Sequence, residues 1–243
     1  MEQTGYLDFH THILPGIDDG PMDMEATKAI LQMAYQQGIR TILATPHNYP
    51  EGCPQDNEKV RALCNQVNEE ARNIDNGFCV LAGNEILYRD SIAAEIQEGH
   101  VLTLADSRYL LIEFLPSELY CHINEGMRQL ILEGFYPVIA HVEDVSCLME
   151  NPERIRELVE LGCYIQANCE NLLGSRFDRR ASTLRRLMEE NLIHFLGSGY
   201  YEGKGTPPIM ATCIRQLYKK IAKKTLDKVI YDNPNRFLQK RYL

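Results

Sequence analysis

The chain has 243 residues, 44% of them hydrophobic and 24% charged, and at that length folding buries ~70–75% of the unfolded surface without any disulfide staple. A net charge of −9 and a pI near 5.3 argue against nucleic acid as a partner, since phosphate-backbone binders present basic surfaces. Eight cysteines, no basic and apolar leader at the amino terminus, and no apolar run near the roughly 20 residues of a bilayer span predict a cytoplasmic protein with free thiols and no membrane insertion.

In chain order the first strand is expected at Tyr6–His12, followed by an Asp-Gly turn over Ile13–Gly20 and a helix over Met22–Gln37 that Gly38 stops. Strand two covers Thr41–His47 and leads to a helix over Asn57–Ile74. Strand three, Cys79–Glu85, precedes a helix over Ser91–Gln97. Strand four is Leu110–Glu113, and a helix over Ile123–Glu133 ends at Gly134. Strand five is Pro137–His141. A helix over Pro152–Leu161 ends at Gly162, strand six is Cys163–Ala167, and a helix over Arg179–Glu190 ends at Asn191. Strand seven, His194–Gly197, and a helix over Ile209–Lys223 complete the pattern.

Apolar runs that each feed a helix are parallel strands buried on both faces. Such an alternation allows a doubly wound sheet or a closed barrel, but no Gly-x-Gly-x-x-Gly follows the first strand to support a nucleotide-binding sheet. Ligand-type residues at the ends of strands one to five favour closure, because an open sheet would hold its outer strands far apart. The expected fold is therefore α/β, a distorted seven-stranded (β/α) TIM-like barrel, as one domain over residues 1–243.

The sharpest local signal is Asp8-Phe9-His10-Thr11-His12. Strand alternation puts His10 and His12 on one face, where both imidazoles can reach one cation; without a metal, two polar rings would be buried in an apolar layer. His47 alone would pass for a loop histidine, but it sits at the same strand ends as His10. Glu85 and Glu113 end their strands, and burying two carboxylates beside imidazoles is costly unless a cation offsets them. His141 closes strand five. Glu143 and Asp144, just beyond it, read as supporting or solvated groups. Asp18 and Asp19 could fold back over the site, or simply form a turn. His194 begins its strand and reads as structural, His100 and His122 carry no specific signal, and Lys219, Lys220, Lys223 and Lys224 form a solvated helical stripe. No cysteine has Arg at the sixth position after it, so the loop of cysteine-based phosphatases is missing, and no Cys-x-x-Cys pair supports structural zinc.

Together these residues resemble the polymerase-and-histidinol-phosphatase (PHP) superfamily. Within it, the chain is similar to bacterial manganese-dependent protein tyrosine phosphatases encoded with capsule and exopolysaccharide genes. The matching stretches include His10-Thr11-His12, Pro15 to Pro21, Thr45-Pro46-His47, Gly83-Asn84-Glu85-Ile86, Ile112-Glu113-Phe114, Pro137 to His141 and Asp232-Asn233-Pro234. The resemblance implies a cluster of up to three Mn²⁺ or other divalent ions, with His10, His12 and Glu85 at one, Glu85, Glu113 and His141 at a second, and Asp19 and His47 at a third. Asp19, Glu85 and His141 would be its catalytic core, and water would attack phosphorus directly with no phospho-enzyme. Four departures follow from the same alignment: Gly199 stands for an Asp ligand, Tyr201 for a His ligand, and Asp144 and Thr206 for two arginines.

The leading expectation is a metal-dependent protein-tyrosine phosphatase holding one or two ions, weakened by the strand-seven losses. Its partner would be a phosphotyrosine protein, a tyrosine kinase of polysaccharide export, and the residues leave self-association open. The alternatives are a non-catalytic PHP-fold regulator, or a small-molecule phosphatase with a rim of Tyr49, Tyr88, Tyr200 and Tyr201. Restoring Asp at 199 and His at 201 is expected to raise metal binding and turnover together.

Overall fold

The computed structural model describes residues 5–49, 56–175, 177–200 and 209–243. Strand β1 (Tyr6–Thr11) leads to helix α1 (Met24–Gln36), whose N-cap Asp23 accepts a hydrogen bond from the Ala26 N–H. The second predicted run is split into β2 (Ile39–Ala44) and β3 (His47–Asn48), and α2 (Asn57–Ile74) follows it. The third is split into β4 (Cys79–Ala82) and β5 (Glu85–Leu87), followed by α3 (Ile92–Gln97). Next come β6 (Tyr109–Glu113), α4 (Tyr120–Leu132), β7 (Tyr136–Ile139), α5 (Ser146–Glu150), α6 (Glu153–Leu161), β8 (Tyr164–Asn168), α7 (Arg179–Glu189) and β9 (Phe195–Gly197). Helices α8 (Met210–Leu217), α9 (Lys223–Asp227) and α10 (Asn233–Leu238) end the chain, with a π-helical turn over Lys228–Asp232 between the last two.

The result is an α/β fold whose strands pair in parallel throughout the described residues. One sheet runs β1-β2-β4 and the other β3-β5-β6-β7-β8-β9. The split runs explain the two sheets. Pro46 has no N–H to give to a ladder, yet Gly83 N donates to Ala44 O (3.0 Å) and Glu85 N to Pro46 O (3.1 Å), so hydrogen bonds bridge the interruption. At the far edges Gly199 N donates to His10 O (3.1 Å) and His12 N to Tyr200 O (3.0 Å), which brings the chain beyond β9 against β1. Alternation sorts the core: on β6, Leu110 and Ile112 join the larger cluster that includes helix residues, while Tyr109 and Leu111 pack with Leu43, Val138, Tyr164, Phe195 and Phe237. Glu113 follows Tyr109 and Leu111 in that register.

Two expectations need correction. The helix expected over 209–223 stops at Leu217, because buried Ile221 turns inward and Ala222 is extended (φ −56°, ψ 132°), so Lys219, Lys220, Lys223 and Lys224 do not share one continuous helical face. The strand expected to run into His141 ends at Ile139, and His141 itself has φ +26°. The helix-terminating residues Gly134, Gly162 and Asn191 all adopt positive φ, as a C-terminal cap requires.

Candidate metal centre

Glu85 is the centre of the site. It is 1% exposed, set at the start of β5 by the break after Gly83, and four imidazoles surround it. Its Oε2 lies 3.0 Å from His10 Nε2, 3.3 Å from His12 Nε2 and 3.4 Å from His47 Nε2, while Oε1 is 2.7 Å from His141 Nε2. Glu113 reaches the same His141 nitrogen at 3.7 Å. The His12 and His47 rings are 4.4 Å apart between centroids, so the strand ends do converge. The route of β1 differs from a regular strand: its register with β2 shifts between Asp8 and Thr11, an irregularity of the kind that re-aims side chains beside active sites. His141 leaves its strand in a strained conformation that Gln166 holds, its Oε1 accepting from His141 N at 2.6 Å and standing 3.4 Å from His10 Nδ1.

Of the two adjacent acidic residues in the turn, Asp18 makes the closest contacts. Its Oδ2 is 2.7 Å from His12 Nδ1, accepts from His47 N at 3.0 Å and lies 3.5 Å from His47 Nδ1, while Oδ1 accepts from Gly20 N. Gly20 is required there, since a Cβ would come 2.7 Å from the carbonyl oxygens of both His12 and Leu14. Asp19 lines the cavity from the next position. Nothing in the spacing of two neighbouring carboxylates distinguishes them: the sequence offers both to the site, and the resemblance selects only Asp19. Gln166, Asn168 and Arg180 escape a reading of the sequence, because their roles depend on packing between distant segments. Glu143, expected to be supporting or solvated, is buried and accepts from Asn168 N (2.8 Å) and Asn171 Nδ2 (3.0 Å), fixing the end of β8.

Of the tyrosines, Tyr49 stacks on His47 at 4.8 Å, whereas Tyr88 lines a separate groove with Gly126, packing on Phe114 and His122. Tyr200 is half-buried, and Tyr201 and Thr206 lie outside the described residues. His194 is structural as expected, its Nδ1 accepting from Ile165 N. Gly199 has φ +56°, and a Cβ on it would fall 2.6 Å from the side-chain carbon and nitrogen of Asn168. Asn168 therefore fills the space that a residue-199 side chain would need.

The mixed imidazole and carboxylate donor set fits a divalent transition-metal ion. Atoms of His10, His12 and Glu85 lie within 4.8 Å of one another, as do those of His12, Asp18 and His47 and those of His47, Glu85 and Glu113. His10 Nε2, Glu113 Oε2 and His141 Nδ1 are buried without an aligned hydrogen bond, which is costly unless an ion meets them. Electrostatics point the same way. Burial opposes charge on His12 and His141, yet the carboxylates of Asp18 and Glu85 raise His12 to about 10, and Glu85 and Glu113 raise His141 to about 9. Burial likewise opposes ionisation of Glu85, but the surrounding imidazoles hold it well below the usual carboxylate range. Burial and the nearby Glu85 charge push Glu113 up, and burial pushes His10 down. Protonated His12 and His141 thus balance the charge of these carboxylates.

Two consequences follow for pH. Ions must displace those protons, so Mn²⁺ affinity should weaken as pH falls from about 9 towards 6, with more than one proton released on binding. Calorimetric titration in buffers of different ionisation enthalpy counts them, and an affinity flat over that window would contradict the arrangement. For metal-free protein the raised His12 and His141 values stabilise the fold fully below 6.5, and that contribution is lost as pH rises through about 9 and 10. The depressed Glu85 value works in the opposite sense, contributing above 4.5 and fading in acid.

A family model for capsular polysaccharide synthesis proteins, CpsB/CapC, matches residues 6–239. The tyrosine-protein phosphatase CpsB of Streptococcus pneumoniae is 32% identical over 237 residues, covering 96% of this chain and 98% of that protein. The tyrosine-protein phosphatase YwqE of Bacillus subtilis is 34% identical over 198 residues, covering 82% and 78% respectively. A crystal structure from work on YwqE and CpsB, described as unique metal-dependent tyrosine phosphatases, superposes with a TM-score of 0.85 at 30% identity, covering 97% of this chain and 95% of that one. A phosphotriesterase homology protein from Escherichia coli shares the fold at a TM-score of 0.65 and 14% identity, covering 97% and 99%. Among the described residues no helix is long and apolar enough to cross a membrane.

Proposed function

The chain belongs to the CpsB/CapC family, and from that premise we propose that it is a metal-dependent protein-tyrosine phosphatase serving capsular polysaccharide synthesis. The observation that carries this reading is one buried carboxylate, Glu85, caged by His10, His12, His47 and His141 with Glu113 beside it. We take the two sheets, with the hydrogen bonds that tie the chain beyond β9 to the end of β1, as one closed seven-stranded barrel in a single domain, with the cage at its carboxyl end. Divalent ions, Mn²⁺ first among them, would supply Lewis acidity there and lower the pKa of water to roughly 7.

The chain's own residues then have distinct tasks. Glu85 presents its two oxygens to different imidazoles and would be a ligand common to two sites. His10 and His12 would complete the first site and Glu113 with His141 the second. Asp18 orients His12 and His47, and Asp19 is the candidate ligand beside His47. Phe114 and Pro116 line the cavity of about 530 Å³ and offer an apolar wall to an aryl ring. The substrate would be a phosphomonoester on an exposed, flexible chain, such as the phosphotyrosines of a cytoplasmic tyrosine kinase of polysaccharide export. Gly199 favours one second reading, a regulator that binds without turnover, because glycine offers no donor atom at the end of β9.

Initial rates of phosphate release from a phosphotyrosyl peptide, set against a phosphoseryl one, test the proposal. The expected result is Mn²⁺-dependent, chelator-sensitive release that prefers the tyrosyl ester. Tight peptide binding with no release would favour the regulator, and release unaffected by chelator would contradict a metal centre.

A further inference from the structure

The cavity that holds the cage is lined by Asp19, Glu85, Glu113, Asp144 and Glu170, and Arg180 is the single Lys or Arg among its described lining residues. A phosphomonoester dianion entering such a wall would gain from a positive group in addition to the ions that the ligands would hold. Arg180 is the second residue of α7, and the start of that helix is firmly placed. Asp178 caps it by accepting from Ala181 N (3.0 Å). The largely buried Arg185 donates to the carbonyls of Leu172, Gly174 and Ser175, tying the helix to the segment beyond β8. Arg180 Nη1 lies 3.2 Å from Asp144 Oδ1, and the other oxygen of Asp144 lies 3.7 Å from His141 Nδ1. One carboxylate thus links the guanidinium to a residue of the cage.

We propose that Arg180 anchors the phosphoryl group of the substrate at the cavity mouth and that Asp144 is its positioning residue. This rests on the phosphatase reading above. The pair is half exposed on both sides, at 53% and 43%, so it is a weak contact that an arriving phosphate can replace. A guanidinium has five N–H donors in a planar fork that matches two phosphate oxygens, and the contact with Asp144 engages one nitrogen. Asp144 holds the long side chain over the cavity before substrate arrives, which reduces the ordering that binding must impose.

Steady-state kinetics with a phosphotyrosyl peptide and inorganic-phosphate affinity, read from the phosphate dependence of Tm in Mn²⁺-loaded protein, test the assignment. Arg180→Ala should raise KM and the phosphate Kd by roughly 10- to 100-fold, the loss expected of a charge-assisted hydrogen bond, with kcat much less affected. Arg180→Lys should recover part of the loss, since ammonium keeps the charge without the fork. Asp144→Asn should raise KM by a few-fold. The exchange Asp144→Arg with Arg180→Asp should bind phosphate better than Arg180→Asp alone. Unchanged phosphate affinity in Arg180→Ala, or an exchange no better than Arg180→Asp, would overturn the assignment. Tm without phosphate separates loss of fold from loss of binding. Were the wild type to release no phosphate from the peptide, the phosphatase reading would fail while phosphate affinity still decided the role of Arg180.

Discussion

Glu85→Gln is expected to abolish stoichiometric metal binding and to lower phosphotyrosine turnover on the order of 10³-fold, the scale of losing one preorganised charged group in a closed site. An amide can accept through one atom only, whereas Glu85 meets His10, His12 and His47 through Oε2 and His141 through Oε1. The metal-free variant should also lose about 3 kcal/mol at pH 6, because imidazolium partners are left buried without their counter-charge. That deficit should shrink as pH rises through about 9 and 10, where the histidines are neutral in either protein. Bound metal per chain and calorimetric Tm at both pH values read the two effects. A variant that keeps its metal, or whose deficit does not depend on pH, would remove Glu85 from the centre of the account.

Gly199→Asp is the second large effect, and its sign differs from what alignment alone suggests. The substitution puts a non-glycine residue at φ +56° and drives its Cβ to 2.6 Å from the Asn168 side chain. Asn168 accepts from Gln166 Nε2 (2.9 Å), and Gln166 in turn supports His141 and His10, so moving Asn168 disturbs the cage. Backbone strain and overpacking together should cost about 3 kcal/mol, or roughly 5–10 °C in Tm, with no gain in Mn²⁺ affinity. Gly199→Asp with Asn168→Ala removes the obstruction. It should recover most of the Tm and bind Mn²⁺ more tightly than the wild type. Equal Mn²⁺ affinity in the single and double variants would show that Asn168 does not occupy the ligand's place.

The first of these sites was legible in the sequence, and the obstruction at the second was not. The cage was readable because each member ends a short apolar run, and a polar group there has few inexpensive fates other than binding an ion. Helix Asn57–Ile74 was readable to the residue, and in the structure Asp56 caps it by accepting from Glu58 N and Lys59 N. Beyond local pattern the signal failed. Pro46 interrupts one ladder while neighbouring hydrogen bonds carry on past it. The helix after Ile209 broke where Ile221 found the core. Asp18 and Asp19 are alike in sequence and differ only in how the turn closes on Gly20. Gln166, Asn168 and Arg180 are assigned by contacts across 25 to 156 positions that no periodicity encodes.

The most direct measurement is the anomalous difference density of Mn²⁺ in crystals equilibrated with the ion. Peaks are expected within the cage, strongest among Glu85, Glu113 and His141, next beside His10 and His12, and weakest beside His47. No peak within coordination distance of Glu85, with Mn²⁺ only elsewhere on the molecule, would contradict the metal centre and the phosphatase chemistry built on it.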